Sequence, residues 1–403
     1  MTTAPIPEAT ASGPIRRLSA RLPEGLVDAA WLWLVLRVGL GLIALFVLIQ
    51  GKAATACPRD PETLAFLPDA GPLHVLFGIW HQWDACWYTT IAAFGYGPGA
   101  GETTFFPLLP VLLAGGTGTL AGIVLVAPIV TAIACIAAFT GLRQLVGRDV
   151  DVPTAERTVL YTAVFPSALF LIAPFTESLF LATSVWAFIG ARRRRWELVL
   201  VAGLLAGLTR PQGILLVLPL AWEAFQALRS RWAAGGRRLQ PSDVLVAVAV
   251  AAPVIAYVGF VAWTALVAGE SYFASNEAWG SHHLTWPWER LGDGIAWAIE
   301  HGRPVQALNA GLWVLFVGLT IAAIRLLPTS YWIYVVPQLV IALTQDTVFP
   351  LMSTVRYLIV LFPCFVVLAM AGRSRRFNTA WVVISVLLLG FVATQFVQGV
   401  MVG

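Results

Sequence analysis

The sequence predicts an all-α, polytopic membrane protein, and three observations carry that prediction. Hydrophobic side chains make up 59% of the 403 residues and charged ones 11%, with a mean hydropathy of +0.80, whereas a soluble domain carries about 25% charged residues. So little polar surface cannot wrap a water-soluble globule. The apolar runs are continuous rather than alternating, and in hydrocarbon each backbone group must be satisfied within its own segment, so helices are favoured over a β-barrel. The arginines, finally, fall in short clusters between apolar runs, as in the loops of a helical membrane protein.

Taken in order, residues 1–30 are rich in Pro, Ala, Ser and Thr, carry Arg16, Arg17 and Arg21, and have no apolar core before Trp31. They read as a disordered cytoplasmic tail ahead of an uncleaved first anchor. Residues 31–403 read as a single transmembrane domain. Apolar segments lie at 31–50, 120–146, 157–173, 177–190, 197–209, 212–226, 243–268, 307–325, 328–345, 355–371 and 378–400, which gives about eleven crossings. Several are shorter than the roughly 20 residues of a full span. They come in pairs broken at Pro174-Phe175-Thr176 and Thr209-Arg210-Pro211. Broken helices leave cavities; the alternative is two long kinked helices.

With the N-terminus inside, most of the 25 basic residues fall on the cytoplasmic side, Arg143, Arg148, Arg157, Arg192 to Arg195, Arg373, Arg375 and Arg376 among them. The same bias accounts for the pI of about 9.0 without a nucleic-acid partner, since the charges are scattered rather than gathered into one stripe. Arg dominance over Lys fits a GC-rich source and a bacterial plasma membrane. Two long hydrophilic stretches, about 51–119 and 269–306, then lie outside, where loops of such length act as lids or binding elements.

The first of these holds the most informative run, His81-Gln82-Trp83-Asp84-Ala85-Cys86-Trp87-Tyr88. A lone carboxylate among aromatics at the interface is partly desolvated, which favours a raised pKa and makes Asp84 the leading candidate base. The alternative is that Asp84 caps a short helix beginning at Ala85. Glu177 sits at a helix break, where it either faces a wet cavity or simply starts the next helix, capped by Thr176. Arg210 and Arg356 occupy comparable breaks and either clamp a phosphate or snorkel to headgroups.

These runs together resemble the PIG-V family, GPI mannosyltransferase II and its bacterial, largely actinobacterial, relatives. The resemblance rests on Trp83-Asp84 to Tyr88, Gly95-Tyr96, Phe106-Pro107-Leu108, Thr176-Glu177-Ser178, Thr209-Arg210-Pro211-Gln212-Gly213 and Arg356-Tyr357 before Phe362-Pro363, in order along residues 31–371. It implies a GT-C glycosyltransferase fold, a polyprenyl-phosphate-mannose donor and inverting transfer to a glycan, glycolipid or glycoprotein acceptor on the non-cytoplasmic face. Asp84 and Glu177 are then the catalytic candidates. His81, Gln82, Trp83, Trp87, Tyr88, Arg210, Gln212, His282, His283, Arg356 and Tyr357 are the substrate-binding ones. Another lipid-phosphate sugar such as arabinofuranose, or a transporter of lipid-linked sugars, are the competing readings, the latter expecting internal repeats that the sequence lacks.

No cofactor is required by this chemistry beyond the lipid-phosphate donor. A His/Asp metal site between His81, Asp84, His282 and His283 can be drawn, though its spacing is not diagnostic. Cys135 and Cys364 read as packing residues, while Cys57 and Cys86 share the first outer loop, where an oxidising exterior would permit a bond that sequence leaves open.

Overall fold

The computed structural model describes residues 23–54, 57, 71–97, 101–115, 120–235, 240–278, 285–344, 351 and 353–402. Most of the expected N-terminal tail, together with His282 and His283, lies outside the described residues. Among the described residues there is no strand; helices and tight turns follow one another throughout.

Helix α1 (Leu26–Ile49) begins upstream of the expected Trp31 because Gly25 adopts a left-handed conformation, φ 81, that starts the helix, with Asp28 placed favourably in its first turn. The hydrophilic stretch 51–119, expected outside, is largely helical among its described residues. It holds α2 (Gly71–Leu76), a 3-10 turn at Gly78–Trp80, α3 (Asp84–Phe94), a second turn at Glu102–Thr104 and α4 (Leu108–Ala114).

Helix α5 (Leu120–Asp149) leads into α6 (Val152–Ala163), whose N-cap Asp151 accepts the Thr154 amide at 2.6 Å. The apolar run expected at 157–173 is therefore not one helix. It ends at Ala163, just ahead of Phe165-Pro166, and continues as a 3-10 turn at Ala168–Leu171, because the residue before proline is driven out of the helical region.

Both expected breaks are present: α7 (Glu177–Arg192) and α8 (Trp196–Gly207) precede a 3-10 turn at Pro211–Leu216 and α9 (Val217–Ala233). Helix α10 (Pro241–Leu266) starts with Pro at its first position and a capping box between Gln240 and Asp243. The hydrophilic stretch 269–306, also expected outside, holds α11 (Tyr272–Ala278) and α12 (Pro287–Glu300). After α13 (Pro304–Leu326) and α14 (Thr329–Thr344), the run 355–371 is again divided, into α15 (Thr354–Leu358) and α16 (Phe362–Ala371); α17 (Arg375–Val397) ends the bundle.

Five of these helices, α1, α5, α10, α13 and α17, are long and apolar enough to cross a membrane; α8, α14 and α16 are apolar but shorter. Large apolar side chains on α1, such as Trp31 at 66% and Leu42 at 62% exposure, point away from the core, as lipid-facing residues do. The chain is a helical membrane protein.

Helix direction separates two ends of the bundle. At one, the Ala54 amide donates to the Val397 carbonyl at 2.9 Å, joining the ends of α1 and α17. At the other, Arg192 pairs with Asp149 at 3.0 Å and Glu223 at 2.7 Å, and the Tyr331 hydroxyl donates to Asp149 at 2.9 Å. This largely buried network ties the ends of α5 and α7 to α9 and the start of α14.

Candidate functional site

At the opposite end from Arg192, four charged side chains from four separate elements meet. Each is placed by a local break in helical structure. Asp84 opens α3 because Trp83, at φ 56 and ψ −121, turns the chain through a conformation costly for a bulky residue. The turn is pinned by a Cys57–Cys86 disulfide and by the Cys57 amide, which donates to the His81 carbonyl at 3.1 Å. Glu177 opens α7 after the Pro174 break; Thr176 stands at the N-cap position but supplies no side-chain cap, contrary to the sequence expectation.

Arg210 is held in extended backbone before the turn Pro211–Leu216. That turn lies directly on the end of α8: a Cβ added at Gly213 would come 2.1 Å from the Ala206 carbonyl oxygen, so only glycine fits. Arg356 lies in the short α15, reached through Leu351 at φ 60 and Ser353 at φ 62. Strained backbone thus precedes both Asp84 and Arg356, a pattern that persists only where surrounding structure over-determines it.

Arg356 is the hub. Its Nη1 donates to Asp84 Oδ2 at 2.5 Å and its Nε to Glu177 Oε1 at 2.9 Å. The Glu177 oxygen also faces Arg210 Nη1 at 3.6 Å, while Arg210 Nε donates to Gln212 Oε1 at 3.2 Å. Two positive and two negative groups therefore balance. They are not equally buried: the Glu177 side chain is 0% exposed and both arginines 6%, but Asp84 retains 33%. Only the aspartate opens outward. Charges this deep need partners, and each has at least one. Two polar atoms are nevertheless left over, Glu177 Oε2 and Arg210 Nη1, neither with a hydrogen bond.

Aromatic rings line the guanidiniums. Arg356 lies 4.6 Å from the Phe175 ring and 5.2 Å from Phe170; Arg210 lies 5.0 Å from Tyr357 and 5.6 Å from Phe180. A desolvated cation facing ring quadrupoles recovers part of its lost hydration. Phe170, Phe175 and Phe180 were not legible as site residues, because in sequence they read as ordinary apolar positions.

The other expected residues divide. Tyr88 is buried edge-on against Phe105 at 5.4 Å, and burial pushes its phenol well above the usual range. Trp87 stacks on Phe105 at 5.6 Å. Gln82 is buried, and Gln212 accepts from Arg210 and so supports the site from behind. His81 is 1% exposed; burial lowers it to about 4, so it is neutral, with Nδ1–H donating to the Phe77 carbonyl at 2.9 Å. Its Nε2 and the Trp83 Nε1 have no partner. The lone carboxylate expected at Asp84 is instead an ion pair, and the two arginines expected as interchangeable clamps are distinct, Arg356 being saturated by carboxylates and Arg210 not.

Among the described residues no three His, Cys, Asp or Glu side chains converge as metal ligands do, and His282 and His283 lie outside them. Comparison with known proteins returns no matching family model, no matching curated protein and no matching solved structure.

Proposed function

We propose that this chain is a membrane glycosyltransferase of the GT-C class, moving mannose from a polyprenyl-phosphate-mannose donor to an acceptor hydroxyl on the non-cytoplasmic face. The observation that carries the proposal is the meeting of a part-exposed carboxylate, Asp84, with two buried guanidiniums at broken helix ends. In a lipid-phosphate sugar the leaving group is already good. The protein needs a proton acceptor, positive charge for the departing phosphate and an apolar groove for the lipid tail.

Asp84 is the proton acceptor. Its bond to Arg356 fixes where the carboxylate points, and an oxocarbenium-like transition state, in which the acceptor loses its proton late, asks of it position above all. The anomeric carbon–oxygen bond breaks with its electron pair passing to phosphate. The acceptor oxygen bonds from the opposite face, and its proton passes to Asp84, giving inversion. Arg210, with Nη1 free of hydrogen bonds, is the group for a phosphate oxygen. Arg356 and the fully buried Glu177 are positioning residues that fix Asp84 and Arg210. No metal or soluble cofactor is invoked.

Two further observations support the orientation. The Cys57–Cys86 bond belongs to an oxidising compartment and lies at the Asp84 end, while the arginine-rich turns lie at the other. The three shorter apolar helices α8, α14 and α16 would raise the five long ones to eight crossings; the about eleven expected from sequence would need α6, α7 and α9 to cross as well. Mannose itself rests on the family resemblance.

The test is transfer from radiolabelled polyprenyl-phosphate-mannose into membrane glycoconjugates, comparing wild type with Asp84→Asn at equal expression. Wild-type transfer abolished by the near-isosteric change is the expected result. Transfer untouched by Asp84→Asn would overturn the mechanism, and no wild-type transfer would overturn the donor.

A further inference from the structure

Helix α12 divides lengthwise into three stripes, as the 3.6-residue repeat allows. Arg290, Gly294 and Ala298 are buried, and a Cβ added at Gly294 would collide with the Leu351 side chain, so this stripe lies tight against the protein. Glu289, Asp293 and Glu300 form an exposed acidic stripe. The third is apolar and also exposed: Trp288, Ile295 and Ile299, spaced by seven and four residues, are 64%, 43% and 77% exposed, with Gly292 among them. Trp286, just ahead of the helix, stacks on Trp288 at 4.8 Å and is exposed as well. A core and water account for the first two stripes, while the third calls for an apolar partner.

The neighbouring helices set the depth at which α12 lies. Helices α13 and α14 meet at the Arg192 end, where Leu326 and Thr329 are three residues apart. At 1.5 Å per residue, α14 rises about 24 Å from there to Thr344, and α13 about 34 Å to Pro304. The Thr285 amide donates to the Thr344 carbonyl at 3.1 Å, which ties the start of α12 to the lower level; its end runs into Pro304 at the higher. A helix about 21 Å long thus climbs only about 10 Å, and lies closer to the membrane plane than to its normal. With a hydrocarbon core about 30 Å thick, the tryptophans come at its upper boundary, the level where Trp collects. The two helices beneath expose apolar side chains of their own, Val314 and Ile321 on α13 and Val340 on α14, as lipid-facing helices do.

We propose that α12 is an interfacial helix, its Trp286 and Trp288 pair and its Gly292, Ile295 and Ile299 stripe seated in the lipid leaflet at the Asp84 end of the bundle. The partner is the acyl and glycerol layer rather than headgroup charge, because the charged stripe is acidic and turns to water. The inference is independent of the proposed transfer and stands or falls without it.

The test uses the full chain in phosphatidylcholine vesicles, with a nitroxide attached in turn through Gly292→Cys, Ile295→Cys and Asp293→Cys. Cys57 and Cys86 are bonded to each other and Cys135 and Cys364 are fully buried, so the introduced thiol is the one labelled. Power saturation then compares collisions with oxygen, which concentrates among acyl chains, and with a polar nickel chelate, which is excluded from them. The oxygen-to-nickel ratio at the Gly292 and Ile295 positions should exceed that at Asp293 by about tenfold, since moving a polar chelate into hydrocarbon is unfavourable. Equal ratios at the three positions overturn the proposal, because the apolar stripe would then face water. So do labels at the Gly292 and Ile295 positions that are immobilised and closed to both relaxants, which would assign the stripe to a protein surface or a second copy of the chain.

Discussion

Replacing Arg356 by Met tests the central ion cluster, because the side chain is conserved in bulk while its charge is removed. Two carboxylates lose a partner, but unequally. Asp84, a third exposed, can rehydrate, whereas Glu177 at 0% exposure cannot and keeps only Arg210 at 3.6 Å. Breaking a buried pair by removing one partner costs about 3–5 kcal/mol; with Asp84 discounted and Arg210 still near, the low end, about 3 kcal/mol, is expected. Neutralising the stranded group with Glu177→Gln in the same chain should return about 1–2 kcal/mol as a coupling energy. The assay is reversible unfolding in mixed micelles of rising denaturing-detergent content, followed by helical circular dichroism for wild type, both single variants and the double. Strictly additive losses, or an Arg356→Met protein as stable as wild type, would refute the assignment of Arg356 as the hub.

Asp84→Asn should abolish transfer while lowering stability by less than about 1 kcal/mol, since its pair is part-exposed; an unfolding shift as large as that of Arg356→Met would make Asp84 a structural residue. Gly213→Ala drives a methyl into the Ala206 carbonyl at 2.1 Å, so the turn carrying Arg210 must move; a loss of about 1–3 kcal/mol is expected, with transfer falling alongside, and unchanged activity would show that the turn does not set Arg210. Cys57 and Cys86 should resist maleimide labelling in the folded, unfolded and unreduced states alike until a reductant is added, and their replacement by Ser should cost about 2–4 kcal/mol; immediate labelling would disprove the bond. His81 is held near 4 by burial, below its ordinary value of 6.5. Between those values only the unfolded chain takes up the proton, so stability is complete above about pH 6.5 and falls with acid by about 1.4 kcal/mol per unit. His81→Gln should flatten that slope in detergent unfolding between pH 6.5 and 4, and an unaltered slope would assign the acid sensitivity elsewhere.

Helix type and most helix positions could be read along the chain because lipid burial leaves continuous apolar runs, and the breaks at Pro174 and Pro211 follow from proline's local geometry. Asp84, Glu177, Arg210 and Arg356 each stood out locally, as a charge in an apolar or aromatic setting. Their convergence did not, because Arg356 lies 272 residues from Asp84 and 179 from Glu177. Nor could sequence separate the two arginines, since the difference between them is one of partners. The ends of the 157–173 and 355–371 runs were misread for a simpler reason: Pro166 and Pro363 interrupt helices without interrupting hydrophobicity.

The two buried charge networks differ in a way that bears on the proposed transfer. At the Arg192 end, Arg192 meets Asp149 and Glu223, the Tyr331 hydroxyl completes Asp149, and none of these groups is left with a buried atom unbonded. Such a network is closed, and its gain is in fixing how four helices pack. At the Asp84 end the charges also balance, yet Glu177 Oε2, Arg210 Nη1 and His81 Nε2 are buried without hydrogen bonds. An unmade bond of that kind costs about 1–3 kcal/mol, and it is offset only if something else arrives to make it. The open network also borders the one cluster member that opens outward, Asp84, and is framed by strained backbone at Trp83 and Ser353. Closed charge at one end and unfinished charge at the other is the arrangement expected if the first holds the bundle together and the second, under the proposed function, takes a sugar phosphate, whose hydroxyls can donate to Glu177 Oε2 and His81 Nε2 and whose phosphate can accept from Arg210 Nη1.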